Sequence, residues 1–376
     1  MNRLKIFNRL LFALLLALTA LSCGKVEDVV NEPSERVLLV YMGTDNNLSA
    51  ETYEQIAALR QGWEVLGEGT LYIYADPAND RPFLLKIGKE NGENVSKTVH
   101  EYKESNSADK SIFATVINDV RALHEAGTVK SFGLLVFSHA TGWIPMSMKM
   151  PEGRTLIVDG EQEMELLDFV DAIPDGLFDF IIFDACYTAG IEMMYELRNK
   201  ANFIVGSSAE ILTPGYTPYY PEVLKYLFQA NVDLTGFMQT IFNGIDAHTG
   251  HDRAATFSIV KTSELEPLRD FIYANCDFTK KLNITGIQDF GRLYMRSLFF
   301  DFEACYASLL SSIGQRIRLL ELVNNCVIYK VATPDFLLDD NGFVVEQHSG
   351  MTTYMTQPYF PKLNDAWSKL AWYANR

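Results

Sequence analysis

The sequence is short of cysteine and of positive charge, and each shortage excludes a class of protein. Five cysteines in 376 residues are too few and too scattered for a disulfide framework, and no Cys-x-x-Cys pair is present to suggest a zinc site. Lys and Arg number 32 against 48 Asp and Glu, which gives a net charge of −16. We therefore expect no nucleic-acid partner, because binding a phosphate backbone requires a basic surface.

The most prominent apolar run lies at the N-terminus and is too short to span a bilayer. Residues 10–21 form this run, between a basic start and a small-residue segment that ends at Cys23. The arrangement resembles a bacterial lipoprotein signal, which implies cleavage before Cys23, lipidation of its thiol, and an exported protein anchored to a membrane on its periplasmic or cell-surface face. An ordinary secretory signal is the alternative. Residues 1–22 are thus the predicted signal peptide and 23–35 a predicted acidic tether.

Continuous apolar runs recur through residues 36–220, with helical patterns between them. Continuous runs indicate strands covered on both faces, as in a parallel sheet, and alternating helices predict a doubly wound arrangement. The predicted strands are 37–42, 71–74, 133–137, 180–183 and 203–205, and the predicted helices are 49–59, 111–124, 163–173 and 191–200. The predicted fold class is α/β, with a mostly parallel sheet flanked by helices.

The pattern changes after about residue 220, where helical segments dominate. The predicted helices are 221–246, 263–275, 286–300, 303–323 and 361–373. Residues 254–260 are a candidate added strand. We therefore expect a core over residues 36–220 and a mainly helical region over 221–376.

Two predicted strands run into residues with reactive side chains. His139 follows the strand 133–137, and Cys186 follows the strand 180–183. Carboxyl ends of parallel strands meet at one edge of a sheet, so we expect both side chains to face one crevice. An imidazole that takes the proton of a thiol creates a nucleophile for a carbonyl carbon, and the backbone N–H groups of Cys186 and Ala140 would hold the developing oxyanion.

The predicted helix 191–200 adds to this expectation, because its positive end favours a thiolate at Cys186. Each residue nevertheless has an ordinary explanation when it is taken alone. A cysteine after a buried strand is commonly a small core residue, and a lone histidine is commonly a loop or capping residue. The pairing at matching strand ends favours the catalytic interpretation.

Three segments at these strand ends resemble the signature segments of clostripain-type cysteine peptidases, which belong with the caspases, gingipains and legumains. They are residues 40–48 (Val-Tyr-Met-Gly-Thr-Asp-Asn-Asn-Leu), 138–143 (Ser-His-Ala-Thr-Gly-Trp) and 183–186 (Phe-Asp-Ala-Cys), and residues 156–159 are similar to the family's segment between histidine and cysteine. The resemblance covers residues 36 to about 220 and implies a caspase-like sheet and cleavage after Arg or Lys. By motif position, Cys186 is the nucleophile and His139 the general base and acid.

Two carboxylates are candidates for binding a basic substrate side chain. Asp184, in the segment of the nucleophile, would lie at the floor of the S1 pocket, where a guanidinium or ammonium needs a fixed counter-charge. A helix cap or turn residue is the alternative. Asp45, past the first strand, is a second candidate, and an ordinary Asp-Asn-Asn turn is the alternative there.

The sequence departs from the family pattern at two places. Ala140 stands where the family usually has glycine, which would harm the oxyanion geometry if the position needs a positive φ. Residues 214–220 lack the tryptophan and the acid of the family's segment, so a carboxylate that would help to hold a basic side chain is missing.

Other charged residues are weaker candidates. Lys149 and Arg154 lie in a predicted exposed loop between the dyad residues, and related peptidases cut themselves in this interval; two solvated loop charges are the alternative. His248 and His251, with two nearby aspartates, resemble a metal cluster but lack a placed third ligand. No cofactor is predicted, and calcium is suggested only by the family, because no calcium-loop spacing is present.

The sequence thus predicts an exported, lipid-anchored cysteine endopeptidase that acts on proteins or peptides. The alternative is a catalytically weak or inactive peptidase-like surface lipoprotein that binds proteins or peptides without cutting them. A third possible function is transpeptidation, the reaction of relatives that ligate peptides.

Overall fold

A nine-stranded mixed sheet lies at the centre of the computed structural model. The structure describes residues 36–103, 106–124, 128–148, 155–280 and 282–374. The predictions for the signal peptide, the tether, Cys23, Lys149 and Arg154 fall outside these residues.

The described strands lie in one large sheet and three two-stranded sheets. They are β1 Arg36–Thr44, β2 Thr70–Pro77, β3 Phe83–Glu90, β4 Glu93–Glu101, β5 Ser131–Phe137, β6 Ile157–Asp159, β7 Gln162–Met164, β8 Phe178–Asp184, β9 Ala201–Ser207, β10 Thr256–Lys261, β11 Phe300–Asp301, β12 Val327–Ala332, β13 Asp335–Phe336, β14 Phe343–Val344 and β15 Thr352–Thr353. The order in the large sheet is β12-β10-β9-β8-β5-β1-β2-β3-β4.

Helices cover both faces of the large sheet. The described α-helices are α1 Glu51–Leu66, α2 Lys110–Ala122, α3 Leu166–Ala172, α4 Ile191–Glu196, α5 Tyr220–Leu227, α6 Leu234–Asp246, α7 Leu265–Asn275, α8 Phe302–Leu309, α9 Ile313–Cys326 and α10 Pro361–Trp367. One apolar core packs α1, α5 and α6 against the sheet, and the other packs the remaining helices. No described helix is both long enough and apolar enough to cross a bilayer.

The central strands confirm the predicted α/β class. β2, β1, β5, β8 and β9 run parallel to one another, and residues such as Leu38, Leu39 and Val40 of β1 are fully buried. A parallel strand covered on both faces has no side that water reaches, which is why its sequence is apolar without alternation.

The edges of the sheet differ from the prediction. The antiparallel hairpin β3–β4 was not predicted, although Asn91 and Gly92 at its turn are a recognised hairpin signal. The candidate strand over 254–260 is β10, and the unpredicted β12 pairs beside it.

After residue 220, the predicted helices differ from those of the structure. The helix predicted over 286–300 is wrong, because these residues form only a short 3₁₀ turn, Leu293–Met295, and the start of β11. The long helix predicted over 221–246 is divided before Asp233, whose side chain accepts a hydrogen bond from Gly236 N and caps α6. The helix predicted over 303–323 is likewise divided, by a capping box formed by Ser312 and Gln315.

Candidate active site

His139 and Cys186 lie at equivalent positions past two adjacent parallel strands. Phe137 at the end of β5 pairs with Asp184 at the end of β8, and each functional residue is the second residue after its paired strand residue. Both side chains line one open cleft of about 600 Å³. The register of the sheet therefore brings the predicted pair to one site.

The rest of the cleft comes from loops at the same edge and from the C-terminal region. Besides His139 and Cys186, it is lined by Asn46, Asn47, Ala140, Thr141, Gly160, Tyr187, Glu210, Arg292, Tyr294 and Met295. Only Ala140 among these was predicted to act in the site. Asn46, Asn47 and Thr141 belong to the signature segments, but no role was assigned to them.

Asn47 orients the imidazole of His139. Its Oδ1 atom lies 2.7 Å from His139 Nε2, and because an amide oxygen can only accept, the ring nitrogen must be the donor. With this orientation of the amide, the contact is made by the tautomer that carries the proton on Nε2. Asn47 was not predicted for this role.

The sulfur of Cys186 is held by the backbone of Ile211. Ile211 N donates to Sγ at 3.3 Å, and Sγ donates to Ile211 O at 3.7 Å. Burial raises the pKa of the Cys186 thiol to about 12, and the charges of Glu210 and Asp184 raise it further against the hydrogen bond from Ile211 N. Burial therefore favours the thiol over the thiolate in this conformation.

The effect of a helix N-terminus on the pKa of Cys186 stays a prediction. The helix α4 begins at Ile191 and ends at Glu196, with Gly190 as its N-cap. Cys186 lies before it in a turn, where Tyr187 adopts a left-handed φ of 56°. The dipole field decays within the first turn, and burial is the largest cause of the raised pKa of the sulfur.

Alanine at position 140 causes no backbone strain. The described non-glycine residues with positive φ include Tyr187 but not Ala140. The left-handed residue of this loop is Gly142, with φ 64°, where an added Cβ would come within 2.4 Å of Tyr187 O. The replacement of glycine by Ala140 thus leaves its N–H available to the predicted oxyanion site.

Asp184 lies beneath the cleft. It is 3% exposed, and its Oδ2 accepts hydrogen bonds from Tyr216 N at 3.0 Å and Tyr220 Oη at 3.3 Å. Burial raises the pKa of this carboxyl to about 7. It caps no helix, since Gly190 is the N-cap of α4. Its assignment to the S1 floor stays a prediction, because Asp184 is not among the residues that line the cleft.

Asp45 faces other acids. Burial and the charge of Asp159 raise its pKa, and Asp159 also shares a hydrogen bond with Asp76, whose pKa burial raises to about 8. The neighbouring Asn46 closes the turn by accepting from Leu48 N at 2.9 Å. Asp45 does not line the cleft, so its substrate-binding role also stays a prediction.

An ion pair forms the wall opposite the dyad loops. Arg292 Nε donates to Glu210 Oε2 at 2.7 Å, and Arg292 Nη1 donates to Asp340 Oδ2 at 3.1 Å. The arginine side chain is only 8% exposed, against 22% for Glu210. A residue from the C-terminal region therefore compensates Glu210, an acid whose charge acts on Cys186.

A family model identifies this arrangement. The model of the clostripain family matches residues 40–288, a span that includes all three signature segments. The chain belongs to the clostripain family. It is accordingly a cysteine peptidase.

Solved structures of clostripain-type proteases share the fold. An inactive zymogen protease from Parabacteroides distasonis is 27% identical, with a TM-score of 0.78, over 92% of this chain and 99% of that one. A secreted cysteine protease from Bacteroides thetaiotaomicron, solved with an irreversible peptide inhibitor, is 23% identical, with a TM-score of 0.78, over 91% and 98% of the two chains. No curated protein matches the chain.

Metal ligands do not cluster in the described part of this clostripain-family chain. Within those ranges, no group of three or more His, Cys, Asp and Glu side chains is arranged to hold an ion. His248 lines a different pocket, next to the cleft, together with Asp252. The calcium suggested by the family stays untested.

Proposed function

We propose that this clostripain-family peptidase is an endopeptidase that cleaves after Arg or Lys, with Cys186 as nucleophile and His139 as general base. The observation that carries the proposal is the equal offset of the two residues from β5 and β8, which gives them one cleft. Asp184, beneath the nucleophile turn, and the net charge of −16 favour a basic substrate side chain.

The reaction follows from the tautomer that Asn47 imposes. The Cys186 proton passes to His139 Nδ1, and the thiolate attacks the substrate carbonyl carbon. The N–H groups of Ala140 and Cys186 stabilise the oxyanion. The imidazolium then protonates the leaving amine, an acyl-enzyme forms, and water activated by His139 hydrolyses it.

Activation requires a change around the sulfur. Burial raises the pKa of the thiol, so the hydrogen bond that Sγ donates to Ile211 O is released when His139 takes the proton, while the N–H of Ile211 stays in place to stabilise the thiolate. Cleavage at Lys149 or Arg154 is the proposed trigger. Mass spectrometry of wild-type and Cys186→Ala protein tests it, because a cut present in both excludes self-cleavage.

A fluorogenic peptide panel tests the activity and the specificity together. Substrates with Arg, Lys or a neutral residue before the scissile bond are offered to processed wild-type protein, with Cys186→Ala as the matched control. Turnover of basic substrates alone supports the proposal. Turnover that persists in Cys186→Ala protein contradicts the assigned nucleophile.

One observation supports the alternative of a binding protein. The neutral, backbone-bonded thiol of Cys186 and the absence of an acid in residues 214–220 are also what a peptide-binding surface lipoprotein would carry. Retained peptide binding without turnover by processed protein favours this second function.

We also propose that a lipid on Cys23 anchors the protein to a membrane on its periplasmic or cell-surface face. The basic start and the short apolar run before Cys23 support it. Partition of wild-type protein into detergent, and of Cys23→Ser protein into the aqueous phase, is the expected result. Equal partition of both contradicts the anchor.

A further inference from the structure

The helix after the nucleophile carries a fully buried acid that the proposed reaction does not use. Glu192, in the first turn of α4, is 0% exposed. It follows residues 186–190, which we call the nucleophile turn because they begin with Cys186. A buried carboxyl loses its hydration and is stable only where hydrogen bonds replace the lost water. The partners of Glu192 therefore show which parts of the fold it joins.

Glu192 accepts three hydrogen bonds from the C-terminal region through one oxygen. Its Oε1 atom accepts from Tyr354 N at 2.8 Å, from Trp367 Nε1 at 2.9 Å and from Thr353 Oγ1 at 3.0 Å. Thr353 ends β15, Tyr354 follows it, and Trp367 ends α10. A single side chain of α4 therefore binds two separate C-terminal elements to the helix that follows the nucleophile turn.

Residues 352–354, which we call the C-terminal segment, also contact the nucleophile turn through the backbone. Thr352 N donates to Ala189 O at 3.0 Å, and Thr352 forms a parallel bridge with Gly190. Ala189 N donates in turn to Ser207 O at 2.9 Å, at the end of β9. The nucleophile turn is therefore held both by the central sheet and by the C-terminal segment.

Burial favours the neutral form of Glu192. It raises the pKa of this carboxyl against the hydrogen bonds that Tyr354 N and Trp367 Nε1 donate. Among the residues that the structure describes, Oε2 has no hydrogen-bond partner, which leaves Oε2 as the oxygen for the proton of the neutral form. A glutamine at this position would keep the accepting oxygen and would also be uncharged.

We propose that Glu192 is a positioning residue for Cys186, and that it acts by holding the C-terminal segment against the nucleophile turn. The proposal rests on the proposed function, in which Cys186 attacks the substrate. Glu192 does not line the cleft, so it acts through the turn and not on the substrate. The C-terminal region thus contributes to the reaction through this contact as well as through Arg292 in the cleft wall.

Replacing Glu192 by leucine tests this role through the chemical step. Leucine is of comparable size but accepts no hydrogen bond, so the C-terminal segment is released and the sulfur loses its fixed position. Because a displacement of about 1 Å can slow an oriented reaction about 100-fold, we expect kcat to fall about 10- to 100-fold and KM to change less than about threefold. Glu192→Gln keeps the accepting oxygen and should retain kcat within about threefold.

Two further variants separate positioning from a general loss of stability. Glu196→Leu is the matched control, because Glu196 also lies on α4 and accepts a hydrogen bond from Ala371 N; it should lower stability and leave kcat unchanged. Thr353→Val removes one donor to Glu192 and should lower kcat about threefold even where Glu192→Leu does not fold. An equal loss of kcat in Glu196→Leu protein, or no rescue in Glu192→Gln protein, overturns the proposal.

Alkylation of the cysteines separates this proposal from the peptidase function. Wild-type, Glu192→Leu and Glu196→Leu proteins are labelled with iodoacetamide at about pH 8, and each cysteine is followed by peptide mass spectrometry. Release of the nucleophile turn exposes the sulfur, so Cys186 of the Glu192→Leu protein should react about tenfold faster, while the buried Cys305 and Cys326 keep their wild-type rates. This result in a protein that cuts nothing supports the positioning role, and only the peptidase proposal then fails. An unchanged rate at Cys186, or equal acceleration at all three cysteines, overturns the positioning role.

Discussion

The amide oxygen of Asn47 lies 2.7 Å from Nε2 of His139, and this contact leaves Nδ1 as the nitrogen that would act as the base in the proposed mechanism. The two residues belong to different strand loops, after β1 and after β5, which the parallel pairing of those strands brings together. Asn47 contacts the proposed base, His139, so we propose that it is a positioning residue.

Replacing Asn47 by alanine should slow the chemical step without weakening substrate binding. The imidazole would lose its fixed tautomer and orientation, and we expect kcat to fall about 10- to 100-fold with little change in KM. Steady-state kinetics on a peptide substrate measures both constants. Asn94→Ala, at an exposed asparagine of β4, is the control.

Asn47→Asp should change the pH dependence of activity, which would not change if Asn47 had a purely structural role. A carboxylate at the same distance stabilises the imidazolium and raises the pKa of His139, so the activity limb that requires neutral imidazole should shift to higher pH. An unchanged pH profile in a folded Asn47→Asp protein would contradict the positioning role.

The Cys186 thiol of the unprocessed protein should react slowly with alkylating agents. With its pKa raised to about 12 by burial, the thiolate fraction at pH 7 is about 10⁻⁵. The rate of iodoacetamide labelling at Cys186, followed by peptide mass spectrometry, should rise about tenfold per pH unit between about pH 7 and 10.

Glu210→Gln provides the comparison for this titration. Glu210 raises the pKa of Cys186 through its charge, so its removal should lower that pKa and speed labelling at a given pH. A labelling rate that reaches a plateau below about pH 9 in the unprocessed wild-type protein would contradict the raised pKa of Cys186.

The meeting of His139 and Cys186 in one cleft was predictable because it depends on features that the sequence carries locally. Continuous apolar strands indicate a parallel sheet, and residues that follow such strands lie together at the edge formed by the carboxyl ends of the strands. Phe137 pairs with Asp184. His139 and Cys186, each two residues further along the chain, are therefore neighbours in space. No detail of side-chain packing is needed for this step.

Asn47 and Arg292 could not be found in this way. The contact of Asn47 with His139 depends on a turn closed by the side chain of Asn46, and the motif gave no reason to prefer one asparagine. Arg292 reaches the cleft from a segment predicted to be helical, where the 3₁₀ turn Leu293–Met295 replaces the helix. Tertiary packing, rather than periodicity, decides both positions.

Arg292→Ala should destabilise the protein and leave an uncompensated acid beside the nucleophile. The guanidinium is 8% exposed and bonds Glu210 and Asp340. Because both partners keep contact with water, we expect a loss of about 2 kcal/mol in the free energy of unfolding, below the range for fully buried pairs. Urea denaturation measures it.

Arg318→Ala is the matched control for that loss. Arg318 pairs with Glu321 on α9, and both side chains are more than half exposed, so the change should stay below about 0.5 kcal/mol. Equal losses for the two variants would contradict a structural role for the Arg292 pair.

Asp184 should make the protein less stable as the pH rises towards neutrality. Burial raises its pKa to about 7 from 3.8, so the folded state binds a proton that the unfolded state has released. The stabilisation is complete below about pH 4 and is lost progressively up to about pH 7, by at most about 4 kcal/mol in the free energy of unfolding. Asp184→Asn should remove this decline.

Asp109 should have the opposite effect on the pH dependence of the free energy of unfolding, and Asp109→Asn tests this in the same experiment. Hydrogen bonds from the side chain and N–H of Ser111 lower the pKa of Asp109, which caps α2, so its stabilisation is present above the unfolded pKa and is lost as the pH falls through the folded pKa. Its removal should alter only the acid limb of the unfolding curve. A wild-type curve that rises between pH 4 and 7, and that Asp184→Asn leaves unchanged, would show that the Asp184 carboxylate is charged in the folded protein.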